Sequence, residues 1–270
     1  MARKELHYFG QDLGYNAPPR SRDDYHSYFN HAPENTLVGE TSTWLLTSKT
    51  AAAEIADYCP NAKILIALRE PVSWLHSLHS HHLYTGDENI IDIETAVKNS
   101  VARDDEKTRN CTPTGALNYL QHVKYSVGVQ RFINTFGRDN VCVIFLDDLK
   151  HDPVNTYNQI FQFLNVEECA AEILSEYTPE KRTKNANRGV HSALIQRLIR
   201  TQQCQRAYKG LVPDPLGLGL VVRILKRLNT TYYHRPPTQA SFKGWLKGHL
   251  QNELETLSDL LGRDLSAWRE

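Results

Sequence analysis

Lys63-Ile64-Leu65-Ile66-Ala67-Leu68-Arg69-Glu70-Pro71, continuing through Val72-Ser73-Trp74-Leu75-His76-Ser77, is the stretch whose reading decides the fold. The unbroken apolar run before Arg69 predicts a strand buried on both faces, the pattern of a parallel sheet. Arg69 stands at the carboxyl end of that strand. Pro71 suits the first turn of a helix because its φ is already helical and its missing N–H would be unpaired there anyway. Ser77 then falls about two turns into the helix. Ligands of open α/β sheets bind outside the carboxyl ends of the strands. An arginine leaving a strand there, with a hydroxyl on the next helix, offers a charged fork and a neutral donor to one oxyanion. An arginine salt-bridged at the sheet edge would satisfy the same spacing.

Outward from this stretch, Val141-Cys142-Val143-Ile144-Phe145-Leu146 predicts a second buried strand, followed by Asp147-Asp148 and a helix running to Leu164. Tyr119 to Phe136 has helical apolar spacing and stops at Gly137. An alanine-rich helix over Lys49–Tyr58 ends at Cys59-Pro60. At the amino end, Glu5-Leu6-His7-Tyr8-Phe9 alternates and predicts an extended piece with Glu5 and His7 on one side. Tyr15 to Pro33 predicts a surface loop leading into a short helix. Lys181 to Gly189 is basic and precedes a helix with apolar residues at Leu194, Ile195, Leu198 and Ile199, a ready anion site.

Taken together, these segments resemble the sulfotransferases that use 3′-phosphoadenosine 5′-phosphosulfate (PAPS), the carbohydrate and heparan type and bacterial members among them, from Lys4 to Trp268. The resemblance implies a single domain over residues 1–270: a P-loop-like three-layer α/β fold, with a central parallel sheet and helices on both faces. It implies that Arg69 and Ser77 hold the 3′-phosphate of the cofactor, with a loop bearing Asn185, Arg188 and Gly189 closing over it. Glu5 matches the base that takes the proton from the acceptor hydroxyl, and His7 a histidine bordering the same site. Glu40 and Ser42 fit a further family segment, while Asp147 and Asp148 fall where the carboxylates are structural. Trp74 stands in place of a second arginine, and Thr41 and Thr43 replace a lysine and a proline. The family opens with a buried strand and a Lys-x-Gly-Thr loop that wraps the 5′-phosphosulfate. No such strand–loop–helix occurs in residues 1–270, so the natural protein is expected to start upstream of Met1, a degenerate copy being the alternative.

The composition narrows the function further. Lys+Arg 31 against Asp+Glu 31 exerts no general pull on nucleic acid. Five cysteines without paired spacing suit a reduced, cytoplasmic chain. His76, His79, His81 and His82 are clustered, but no carboxylate or cysteine completes a metal set, so no metal is expected. They are expected to line the acceptor cleft or face solvent. Gln196 to Arg235 carries eight Lys/Arg against Asp214 alone. Within it the helix 218–228 suits either weak membrane-surface contact or ordinary packing with solvated arginines. The resemblance implies PAPS-dependent transfer of a sulfuryl group to a hydroxyl of a carbohydrate, glycolipid or other small acceptor. A nucleotide kinase would need a Gly-rich Lys-Ser/Thr loop, which is absent. A catalytically silent nucleotide- or anion-binding remnant of the fold is the other alternative.

Overall fold

The computed structural model describes residues 5–15, 21–101, 113, 115–167, 170–176, 188–208, 217–232 and 239–269. Two compact units are formed, one from Met1–Glu70, Arg103–Glu176 and His249–Glu270, the other from Pro71–Ala102 and Tyr177–Gly248.

The first unit holds the two strands expected from their apolar runs. β1 (Ile64–Leu68) and β2 (Val141–Phe145) pair in parallel, with Ile64 opposite Val141 and Leu68 opposite Phe145. Among the described residues no further strand joins this sheet, which is therefore small. β2 is covered along nearly its whole length. β1 departs from expectation: Leu68 is 1% exposed, but the alternate residue Leu65 is 43% exposed. Its second face is exposed because successive side chains of a strand point to opposite sides and only one side is covered.

The first unit also holds α1 (Arg22–Ser27), α2 (Ala51–Tyr58), α5 (Tyr125–Phe136), α6 (Leu146–His151), α7 (Pro153–Leu164) and α8 (Ala170–Glu176), of which α5, α6 and α7 contact the strands. α7 begins with Pro153 in its first turn, capped by Asp152 accepting from the Asn155 N–H at 3.1 Å. Its Ile160 packs against Cys142 and Ile144 of β2. The helix expected from Tyr119 is interrupted: a 3-10 turn, Tyr119–Val123, meets α5 at Lys124, whose ψ of 70° is not helical. α5 ends as expected at Gly137, at φ 81°. Gly128 lets α5 press on the backbone at Leu46, since a Cβ there would collide with the Leu46 carbonyl oxygen. Asp148 binds Arg263 through paired contacts of 2.5 and 2.7 Å, and Asp147 accepts from the Trp268 indole at 3.3 Å. Both carboxylates thus anchor the carboxyl-terminal segment, the structural role expected of them.

In the second unit α3 (Pro71–Thr85) starts at Pro71, as read from the sequence, and α4 (Ile93–Ser100) is capped by Asp92. β3 (Arg188–Val190) pairs antiparallel with β4 (Thr230–Tyr232). α9 (Ala193–Ile199), α10 (Gln202–Tyr208) and α11 (Leu218–Asn229) complete it. α12 (Ala240–Leu261) carries residues of both units and buries Phe242, Leu246, Leu250, Leu254 and Leu257 at three- and four-residue spacing. No helix among the described residues is long and apolar enough to cross a membrane.

Candidate functional site

The amino-terminal segment is not the extended piece that its alternation suggested. Glu5 and His7 sit at φ 59° and 56°, the left-handed region that L-residues enter only when their surroundings impose it. Those surroundings are visible. Leu6 and Phe9 are buried in a cluster with Tyr25, packed by Tyr8, Tyr28, Leu45 and Tyr58. The Glu5 N–H donates to the Thr41 carbonyl at 3.0 Å, and the Thr43 hydroxyl donates to Glu5 Oε1 at 3.0 Å. With Leu6 buried between them, Glu5 and His7 are turned by backbone conformation rather than by strand pleating.

A second carboxylate ties the next turn of the chain to the residues just ahead of α2. Asp12 accepts from the Ser48 hydroxyl at 2.5 Å, the Lys49 N–H at 2.7 Å and the Thr50 hydroxyl at 3.0 Å. Burial alone would raise its pKa, but these hydrogen bonds outweigh it and hold the carboxyl below its ordinary value. Tyr15 stacks on His7 with ring centroids 3.9 Å apart. Its hydroxyl is buried and has no hydrogen-bond partner among the described residues. Burial, then the negative charges of Glu5, Asp12 and Glu40, push that phenol far above its ordinary pKa, so it stays protonated as a donor. Glu40 accepts from the Tyr25 hydroxyl at 2.9 Å and the Ser42 hydroxyl at 2.6 Å. Glu40 and Ser42 were legible from their segment. Tyr15 was read only as the start of a loop, because a lone tyrosine there carries no periodicity.

At the end of β1, Arg69 is half-buried, and its carbonyl accepts from the Tyr125 hydroxyl at 3.0 Å. Tyr125 is buried, so α5 pins the strand end from which Arg69 projects. Glu5, His7 and Arg69 all belong to the first unit.

Ser77, Arg188 and Gly189 belong to the second. Ser77 is half-buried on α3, one turn from Trp74. The Trp74 indole N–H is buried without a hydrogen-bond partner among the described residues, and so carries an uncommitted donor. Arg188 and Gly189 are in β3 opposite Tyr232 and Thr231, where sequence reading placed a loop; Asn185 lies outside the described residues. The histidine cluster departs from expectation in part: His81 is exposed, but His79 and His82 are 4% and 2% exposed, buried rather than facing solvent. Burial, partly opposed by the Ile90 carbonyl 2.8 Å from Nε2, lowers the His79 pKa. Asp87 pairs with Arg200 at 2.9 Å and accepts from Thr85 at 2.6 Å.

No known protein-family model matches the chain. Among curated proteins, the bifunctional heparan sulfate N-deacetylase/N-sulfotransferase 1 of Caenorhabditis briggsae is 24% identical over 171 residues, 60% of this chain and 18% of that protein. Its counterpart from Caenorhabditis elegans is 23% identical over 155 residues, 56% of this chain and 17% of that protein. The chain thus spans less than a fifth of the length of either relative. In fold it is similar to a sulfotransferase from Alicyclobacillus acidocaldarius, with a TM-score of 0.66 at 21% identity, covering 99% of this chain and 87% of that one. The fold is that of a sulfotransferase. In sequence the chain is thus similar to heparan sulfate N-deacetylase/N-sulfotransferases, and in fold to a bacterial sulfotransferase.

Proposed function

We propose that this chain is a PAPS-dependent O-sulfotransferase acting on a carbohydrate, glycolipid or other small hydroxyl acceptor, the two compact units being parts of one catalytic domain. The observation that carries this reading is the junction at Leu68-Arg69-Glu70-Pro71: a parallel strand ends, Arg69 leaves it, and a helix bearing Ser77 begins at once. The donor chemistry of Arg69 and Ser77, joined by the uncommitted indole N–H of Trp74, fits a phosphate monoester. Arg69 and Ser77 would bind the 3′-phosphate of the cofactor, and Arg188, Gly189 and Asn185 would contribute beside it.

Glu5 would accept the proton of the acceptor hydroxyl. The acceptor oxygen forms a bond to sulfur as the bond from sulfur to the cofactor's phosphate oxygen breaks. The sulfated acceptor and 3′-phosphoadenosine 5′-phosphate (PAP) result, with the proton on Glu5. Positioning and charge stabilisation, rather than covalent chemistry by the protein, supply the rate, as in phosphoryl transfer. His7, held flat against Tyr15, would orient the acceptor. The free thiols of Cys59, Cys142 and Cys204 are in keeping with a reducing compartment such as the cytoplasm.

The test combines calorimetric titration with PAP and ATP and transfer of labelled sulfate from PAPS to a panel of glycan, glycolipid and phenolic acceptors. Binding of PAP over ATP with labelled product supports the reading. PAP binding without product on any acceptor assigns the chain to a silent binding module, and absence of PAP binding overturns the cofactor.

A further inference from the structure

One face of α11 is apolar and uncovered. At 3.6 residues per turn, Leu220, Val221, Ile224, Leu225 and Leu228 fall in a single arc, and they are 60%, 47%, 49%, 38% and 70% exposed. The other side of the helix is seated: Val222 and Asn229 are buried. Asn229 donates to the Ser192 carbonyl at 2.9 Å and accepts from the Ser192 N–H at 2.8 Å. α9 packs on α11 and adds the exposed Leu194 and Leu198. The helix is thus packed on one side with its arginines exposed, as ordinary packing would have it, but this arc is left open.

The charges say what covers it. Arg223 and Arg227 flank the apolar arc, both exposed, and neither forms an ion pair among the described residues. Lys226 lies over the Tyr208 ring at 5.2 Å. The sequence has no Asp or Glu between Asp214 and Glu253, although the chain as a whole is neutral at 31 basic and 31 acidic residues. The charge is segregated, and basic residues beside an apolar arc complement a surface that is apolar inside and anionic outside. A second copy docking by the same face would bring the arginines of two like arcs together.

We propose that α11 lies on an anionic lipid bilayer, its apolar arc set into the boundary of headgroups and acyl chains and Arg223 and Arg227 against lipid phosphates. The full chain is sedimented with vesicles of phosphatidylcholine alone and of phosphatidylcholine with phosphatidylglycerol. Binding is expected on the anionic vesicles and falls with salt. The Arg223→Gln/Arg227→Gln variant should bind about fivefold more weakly per arginine removed. The Leu220→Ser/Ile224→Ser/Leu228→Ser variant should not bind. If the serine variant fails to fold, as circular dichroism would reveal, the glutamine pair still decides, since those arginines form no ion pair among the described residues. Absence of binding to either vesicle, equal binding to both, or binding unchanged in the glutamine variant overturns the proposal. So does a dimer in light scattering that the serine variant abolishes, which would give the face to a second copy.

Discussion

Glu5 and His7 adopt left-handed backbone, a conformation that costs of order 1–3 kcal/mol per residue and persists only where neighbours over-determine it. Here the neighbours are the buried Leu6 and Phe9 and the bonds from Thr43 and to Thr41. Such strain is a reason to look for function at these residues. Glu5→Gln keeps the shape and the Thr43 contact but removes the basicity, so turnover should fall by roughly 10²–10⁴-fold with PAP affinity nearly intact. Unchanged turnover, measured by labelled-sulfate transfer, would move the base elsewhere, His7 being next in line. Arg69→Ala tests the other end of the cofactor. Loss of a charged hydrogen-bond donor should weaken PAP binding by about 1.5–3 kcal/mol. The fold should survive, because the contact that pins this strand end, Tyr125 to the Arg69 carbonyl, involves backbone. Calorimetry returning wild-type affinity would remove Arg69 from the site.

Elements were legible where one local rule dominated. Apolar runs predicted β1 and β2, Pro71 marked the start of α3, and Gly137 the end of α5. What escaped was set by tertiary neighbours: the break at Lys124, the exposed face of β1, and the burial of His79 and His82, residues whose polarity pointed outward. Gly128 is another such case, since nothing in its flanking sequence announces the backbone against it. Gly128→Ala would force α5 off Leu46, and an overpacked contact of this kind typically costs about 1–3 kcal/mol. Urea unfolding would register it as a lower midpoint with an unchanged slope; a midpoint equal to wild type would mean that the contact yields. The clasp at the end of α3 has a pH signature. Burial would raise the Asp87 pKa, but the His82 ring 3.8 Å away and the bonds from Thr85 and Arg200 hold it well below the ordinary value. A carboxylate depressed on folding contributes its full stability above its unfolded pKa, about 4, and loses it as pH falls through the folded value. Asp87→Asn should therefore be less stable than wild type at neutral pH, the gap closing in acid. A gap independent of pH would show that the charge of Asp87 plays no part.

At the scale of the molecule, fold class was readable because parallel strands and a strand-to-helix junction leave strong patterns, and similarity over 99% of the chain to a sulfotransferase structure bears it out. The extent of the sheet was not readable: two strands rather than a broad sheet are found among the described residues. The division into two compact units also left no mark in composition. Whether those units unfold together can be asked through α12. The chain passes between them at Glu70–Pro71, Ala102–Arg103, Glu176–Tyr177 and Gly248–His249, and the last of these passages lies inside one unbroken helix. Melting either unit would therefore strip ordered ends from the other, so a single cooperative transition is expected. Gly244 and Gly248 are exposed helical positions of α12 with nothing within 4 Å of an added Cβ. Replacing either by alanine should stabilise the helix by up to about 1 kcal/mol. In calorimetry that corresponds to a rise in Tm of roughly 2–4 °C per kcal/mol for a chain near this size. Because the substitutions sit in the second unit, they also report on coupling. If the chain melts as one body, Gly244→Ala moves the whole endotherm upward without splitting it. Two resolved transitions, of which Gly244→Ala shifts only one, would show instead that each unit unfolds alone.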